Sequence, residues 1–147
     1  MLPVKIDRYF FVHQEVVAHP THDQTKPHTH SNSLNVNINT EQLGPQVVVA
    51  ECEVYSNDEE SENPRYSYRM VAIGYFPVIE EEQPNIGTED FVRKVTNLAT
   101  QCLAGAMRER LCDMTARGPW GPLMMDFFPM PSVSVNYSDQ EQDSSKD

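Results

Sequence analysis

TEDFVRKVTNLATQCLAGAMRERLCDMTARGPWGP, residues 88 to 122, is the one long stretch of this 147-residue chain with helical periodicity. Phe91, Val95, Leu98, Cys102 and Ala106 follow one stripe, and Val92, Ala99, Leu103 and Met107 widen it. Leu111 and Met114 extend it. Thr88 is a good N-cap, and Glu89 and Asp90 place carboxylates at the positive end of the helix dipole. Arg117 suits the negative end, and Gly118-Pro119 stops the helix. The spacing therefore predicts one helix from Thr88 to Arg117. Its band is broader than a single sheet contact needs. Ala99, Ala104, Gly105 and Ala106 are small enough to admit a second helix, so the face fits either its own sheet alone or a second subunit as well.

Upstream of the helix the pattern is that of strands. Val4, Ile6, Arg8, Phe10 and Val12 share one parity, predicting a first strand over Pro3 to Val17. Phe11, Val16 and Val17 break the alternation, which points to a bulge or a second buried face. Leu34, Val36 and Ile38 alternate with Asn35, Asn37 and Asn39 in the cleanest strand of the chain. Val48, Ala50, Cys52 and Val54 give a third, with glutamates on its other face. Tyr66, Tyr68, Met70 and Ala72 give a fourth over Arg65 to Phe76, where Gly74 is a candidate bulge. The short connections at 40–46 and 56–64 predict a four-stranded antiparallel meander, so the fold class is α+β, a sheet backed by one long helix.

Downstream, Trp120, Leu123, Met124, Met125, Phe127, Phe128, Met130 and Val133 form an apolar run broken by Pro122, Pro129 and Pro131. The run is too apolar for a solvated loop and too rich in proline for a helix. It either caps the core or offers an adaptable surface to apolar partners. Residues 1–135 are expected to form one domain, and residues 136–147 a disordered acidic tail.

The 22 acidic and 11 basic side chains give a net charge of -11, which disfavours nucleic acid and favours basic or unfolded polypeptide partners. Three cysteines without a CxxC pair read as small buried residues of a reducing compartment. Apolar runs fall short of the roughly 20 residues that span a bilayer, and the N-terminus lacks a signal-peptide core, so a cytoplasmic protein is expected. Five histidines, four of them in the loop His19 to Asn32, leave open a metal site or an ordinary polar loop. No nucleotide, zinc-protease or hydrolase motif occurs, and nothing calls for a cofactor or an enzyme.

Four strands followed by a long helix in a short acidic chain resemble the SecB export chaperone family. So do Leu34-Asn35-Val36-Asn37-Ile38-Asn39-Thr40 and Gly74-Tyr75-Phe76. Most specific is Arg108-Glu109 followed by Leu111, Met114, Arg117-Gly118, Trp120 and Leu123. The resemblance covers about Val4 to Val133. Gly121 stands where the family usually has proline, and Asp126 to Val133 matches poorly.

The resemblance implies an ATP-independent holdase, a homotetramer built as a dimer of dimers, that binds unfolded clients or preproteins in protein export or a related pathway. Client binding would fall to Leu34, Val36, Ile38, Leu111, Met114, Trp120, Leu123 and Met125. The oligomer interface would use Val95, Ala99, Cys102, Gly105 and Ala106. Family members meet the SecA motor through acidic residues of the first and fourth strands. The matching positions here are His13, Val17 and Arg69, which weakens the case for SecA. The alternatives are a SecB-like chaperone dedicated to one partner, such as an antitoxin or a phage or element protein, and an oligomeric binding module that is no chaperone.

Overall fold

The computed structural model describes residues 3–40, 47–125 and 131–137. Among them, five strands, β1 (Arg8–Ala18), β2 (Asn32–Thr40), β3 (Val47–Ser56), β4 (Tyr66–Pro77) and β5 (Ser132–Tyr137), accompany one α-helix, α1 (Glu89–Thr115), and two short 3-10 helices, Asp58–Glu60 and Glu80–Asn85. They form a single sheet in the order β1-β4-β3-β2-β5. Residues 41–46 of the expected turn and 138–147 of the tail expected over 136–147 lie outside the described residues, while Asn136 and Tyr137 of that expected tail belong to β5.

Strands two to four form the expected antiparallel meander. Two features depart from a four-stranded meander. β1 pairs antiparallel with β4 instead of β2. The histidine-rich stretch carries the chain across the end of the sheet, where His19 N donates to Arg65 O (2.9 Å) and Thr29 N to Glu62 O (2.8 Å). A fifth strand pairs parallel with β2, making the sheet mixed. Its alternation, Ser-Val-Ser-Val, is too short to outweigh the prolines just before it.

One face of the sheet is the core. Leu34, Val36 and Ile38 of β2, Val48, Ala50, Cys52 and Val54 of β3, and Tyr66, Tyr68, Met70 and Phe76 of β4 are buried beneath α1. The period of two thus places every second residue under the helix. The register of β1 slips between Phe11 and His13, so Val12 is the bulge. Gly74 is no bulge, since it pairs in register with Tyr9 and Ala50. A Cβ there would lie 2.8 Å from the Phe76 ring and 3.2 Å from Leu103, so glycine lets the helix close on the sheet.

Helix α1 starts as its sequence dictates. Thr88 Oγ1 accepts from Phe91 N at 3.2 Å, and Asp90 pairs with Arg93 and Lys94 on the solvent side. Phe91, Val95, Ala99, Leu103, Met107 and Leu111 recur every fourth residue and are buried against the sheet. The helix ends at Thr115, two residues before the expected Arg117, because the chain turns there and Gly118 N donates to Thr115 O (2.9 Å). Among the described residues no helix is long and apolar enough to cross a membrane.

Candidate functional site

The apolar segment after α1 is fastened to the start of β4 by a set of polar contacts. Thr115 continues the buried stripe of the helix with a hydroxyl. That hydroxyl donates to Leu111 O (2.8 Å) and accepts from Leu123 N (2.7 Å). Tyr66 Oη accepts from Trp120 N (3.2 Å) and donates to Gly121 O (2.7 Å). The Arg65 guanidinium reaches Trp120 O (3.3 Å), and Trp120 Nε1 donates to His19 O (3.0 Å). Gly121 takes a φ of 81°, a left-handed turn that favours glycine. Gly118 is required for a different reason, because a Cβ there would sit 2.5 Å from Tyr66 Oη. Gly118→Ala is therefore expected to push Tyr66 off Gly121 O and to cost about 1–2 kcal/mol. Urea unfolding checks the cost, and Trp120 fluorescence reports the loosened segment.

Beyond this fastening the chain turns Met124 outward. Met124 is 72% exposed, the most open large apolar side chain among the described residues, and Met125 is half-buried. Together they form one wall of a cleft of about 520 Å³. The outer face of α1 supplies the other wall through Gly105, Arg108, Glu109, Cys112 and Asp113. A Cβ on Gly105 would meet nothing within 4 Å, so the glycine widens the cleft. Flexible thioethers beside mixed charges suit side chains of another polypeptide, since methionine adapts to varied apolar shapes.

The residues expected to bind clients divide in two. Leu34, Val36, Ile38, Leu111 and Leu123 are core, each 3% accessible or less, because the helix and the segment after it cover them. Met114, Trp120 and Met125 are half-buried along the edge of that core. Met124, passed over as a neighbour of Leu123 and Met125, is the exposed one. The run Leu123-Met124-Met125 carries no signal that separates them: Leu123 turns in while Met124 turns out. The expected interface residues divide likewise. Val95 and Ala99 are buried against the chain's own sheet, whereas Cys102, Gly105 and Ala106 are half-buried on α1.

The histidine loop packs against the same segment. The ring of His22 lies 5.0 Å from Trp120, and His28 stacks edgewise between His22 and His30. His30 Nε2 accepts from Arg65 N at 3.1 Å. Burial, with Arg65 second, holds the His30 imidazole down to about 4. Among the described residues no group of three or more histidines, cysteines, aspartates or glutamates is placed to hold a metal ion. Burial pushes the Cys52 thiol up to about 12 and raises that of Cys102, away from nucleophilic use.

The outer face of the sheet carries His13, Val17 and Arg69. Arg69 Nε binds Glu53 (2.6 Å), and Glu15, opposite Arg69 in the register, meets His13 (3.2 Å). The acidic groups there are thus partly matched by basic ones. Phe10 stacks on Tyr75 on the same face, 5.9 Å between ring centres, and the Arg8 guanidinium lies over Tyr75.

No protein-family model matches the chain, and no curated protein does either. Its fold is that of a solved SecB-like chaperone, Rv1957 of Mycobacterium tuberculosis, in complex with a ChAD peptide from the antitoxin HigA1 (Rv1956). The two superpose with a TM-score of 0.69 at 14% identity, over 86% of this chain and 91% of that one. A protein of unknown function from Streptococcus agalactiae matches with a TM-score of 0.48 at 14% identity, over 86% of this chain and 99% of that one.

Proposed function

We propose that this chain is a SecB-like chaperone that binds unfolded or partly folded polypeptide and is dedicated to one partner. The observation that carries the reading is the open Met124 cleft, on a fold shared with a SecB-like chaperone solved with an antitoxin peptide. Burying a methionine side chain contributes roughly 1.5–3 kcal/mol, so a few such contacts along an extended client add up to useful affinity. The charge of -11 keeps an exposed apolar cleft soluble and draws basic segments. In this reading Met114, Trp120, Met124 and Met125 touch the client. Cys102, Gly105 and Ala106 on α1 meet a second copy in a dimer or a dimer of dimers. His13, Val17 and Arg69 favour a dedicated partner over delivery to SecA, because a surface balanced between Arg69 and Glu53 offers little to a basic motor segment.

Purified protein should suppress aggregation of a chemically denatured model protein near stoichiometric ratios without nucleotide, and light scattering should give an oligomer. A monomer that suppresses nothing would overturn the reading. Met124→Asp combined with Met125→Asp is expected to weaken client binding about tenfold or more, since two apolar contacts become buried charges. Titration with the denatured client measures this, and circular dichroism should be unchanged.

A further inference from the structure

We propose that β5 is a displaceable occupant of the β2 edge and that a partner's extended segment docks by taking its place. The inference rests on the polypeptide-binding reading above and gives that partner a chemistry.

The two strands are unequal. β2 is anchored, with Leu34, Val36 and Ile38 no more than 2% exposed beneath α1. Among the described residues β5 is paired along one side only, by a parallel ladder in which Val133 faces Val36 and Val135 faces Ile38. Parallel pairs are slightly weaker per residue than antiparallel ones. Val133 remains 43% exposed, Ser132 and Ser134 are exposed, and Val135 is half-buried. Over residues 132–135 the strand therefore covers its rail while only Val135 packs against the core.

The composition of β5 adds a second observation. Natural edge strands are blunted by lysine, proline or inward charge. Ser132 to Tyr137 reads SVSVNY and has none of these. It has the form of a peptide ligand for a sheet edge, where backbone hydrogen bonds give affinity and alternate side chains give specificity. The pairs Val36↔Val133 and Ile38↔Val135 define two apolar seats on the helix side of the sheet. Ser132 and Ser134 stand beside Asn35 and Asn37 on the other side. The partner segment should thus be extended, with β-branched or aromatic residues at two alternate positions and small uncharged residues between them. A larger side chain in the first seat covers area that Val133 leaves open, so such a segment outcompetes β5.

The exchange reaches β2 through its backbone edge alone, since α1 covers the side chains of Leu34, Val36 and Ile38. An intramolecular strand competes at high effective concentration, so affinity for an external strand is reduced by the fraction of time the edge is free.

The probe is a fluorescein-labelled peptide of residues 131–137 (PSVSVNY), with a scrambled peptide as control. Val133→Asp with Val135→Asp should open the edge and raise peptide affinity at least tenfold over the intact chain. Asn37→Cys with Ser134→Cys, register partners, should form a lock that abolishes peptide uptake when oxidised and restores it on reduction. Should the opened variant fail to fold, the oxidised and reduced forms of the locked pair decide alone. Equal binding with and without the lock overturns the inference. Suppression of client aggregation in a protein whose peptide uptake ignores the lock overturns the inference and leaves the chaperone reading standing. Peptide exchange in a protein that suppresses no aggregation in any form overturns the chaperone reading and leaves strand exchange in place.

Discussion

Leu103→Ala is expected to lower the free energy of unfolding by about 3–4 kcal/mol, within the usual range for a leucine fully buried in a core. Leu103 is 0% accessible and sits over Gly74, where its Cδ2 would lie 3.2 Å from a Cβ built on the glycine. Truncation leaves a cavity between helix and sheet that neither element can close, because each is regular along its length. Gly74→Ala attacks the same contact from below. Its Cβ would meet the Phe76 ring at 2.8 Å, so it too is destabilising, by about 1–3 kcal/mol. The two changes share a space and should not add. In the Leu103→Ala background one of the two obstacles to the methyl group that Gly74→Ala introduces is gone, and the double variant should lose less than the sum. Urea denaturation of the four proteins, with equal slopes, measures this cycle. Full additivity, or a Leu103→Ala effect below about 1 kcal/mol, would show that α1 does not pack on the sheet here.

That contact was half legible in the sequence. The stripe Phe91, Val95, Leu98, Cys102 and Ala106, widened by Val92, Ala99, Leu103 and Met107, marked the apolar side of the helix too broadly. Its buried line runs through Phe91, Val95, Ala99, Leu103, Met107 and Leu111, while Leu98, Cys102 and Ala106 are only half-buried. The parity of Tyr66, Tyr68, Met70 and Ala72 grouped the residues that are buried on β4. Both patterns arise from local periodicity. Thr88 was legible for the same reason, as its cap bond reaches only three residues ahead. Gly74 was misread because a glycine within a strand signals either a bulge or a close approach, and only the position of Leu103 chooses between them. The place of β1 beside β4, and the existence of β5, depend on which edges remain free once the meander has formed. No local pattern records that. The same holds for the site. The alternation of Leu34, Val36 and Ile38 marks an apolar face, but an apolar face covered by the chain's own helix and one left open to a client have identical sequences. Met124 became distinguishable from Leu123 only when Thr115 was seen to hold the Leu123 amide in the core.

Stability should also fall by about 2 kcal/mol between pH 6.5 and pH 4, and His30 should account for most of it. In the folded chain its imidazole is held down from the ordinary 6.5 to about 4, first by burial, then by Arg65, then by His28, His22 and His19. Between those values the unfolded chain binds more protons than the folded one, so stability is complete above about 6.5 and drains away as the pH drops toward 4. The full shift converts to roughly 3 kcal/mol, and partial solvent access to a half-buried ring reduces that to about 2. The neighbours sharpen the effect. His30 Nε2 can accept from Arg65 N only while it carries no proton, and a charged ring would face the Arg65 guanidinium, whose buried Nε has no hydrogen-bond partner among the described residues. Burial lowers His28 too, so its contribution has the same sign. Asp23 and Asp90, lowered from 3.8 by hydrogen bonds from Thr25 and from Lys94 and Arg93, lose their contributions mostly below about pH 4, which leaves most of this window to His30 and His28. His30→Gln keeps an acceptor for Arg65 N and removes the titration, so its unfolding free energy should be nearly flat from pH 6.5 to 4. Trp120 lies within this cluster, against His22 and hydrogen-bonded to His19 O, so its fluorescence should follow the same titration in the wild type. If His30→Gln loses stability on acidification as steeply as the wild type, the charge that matters lies elsewhere. The loop would then be only a polar connection, and the fastening of the Trp120 segment would rest on Tyr66, Arg65 and Thr115 alone.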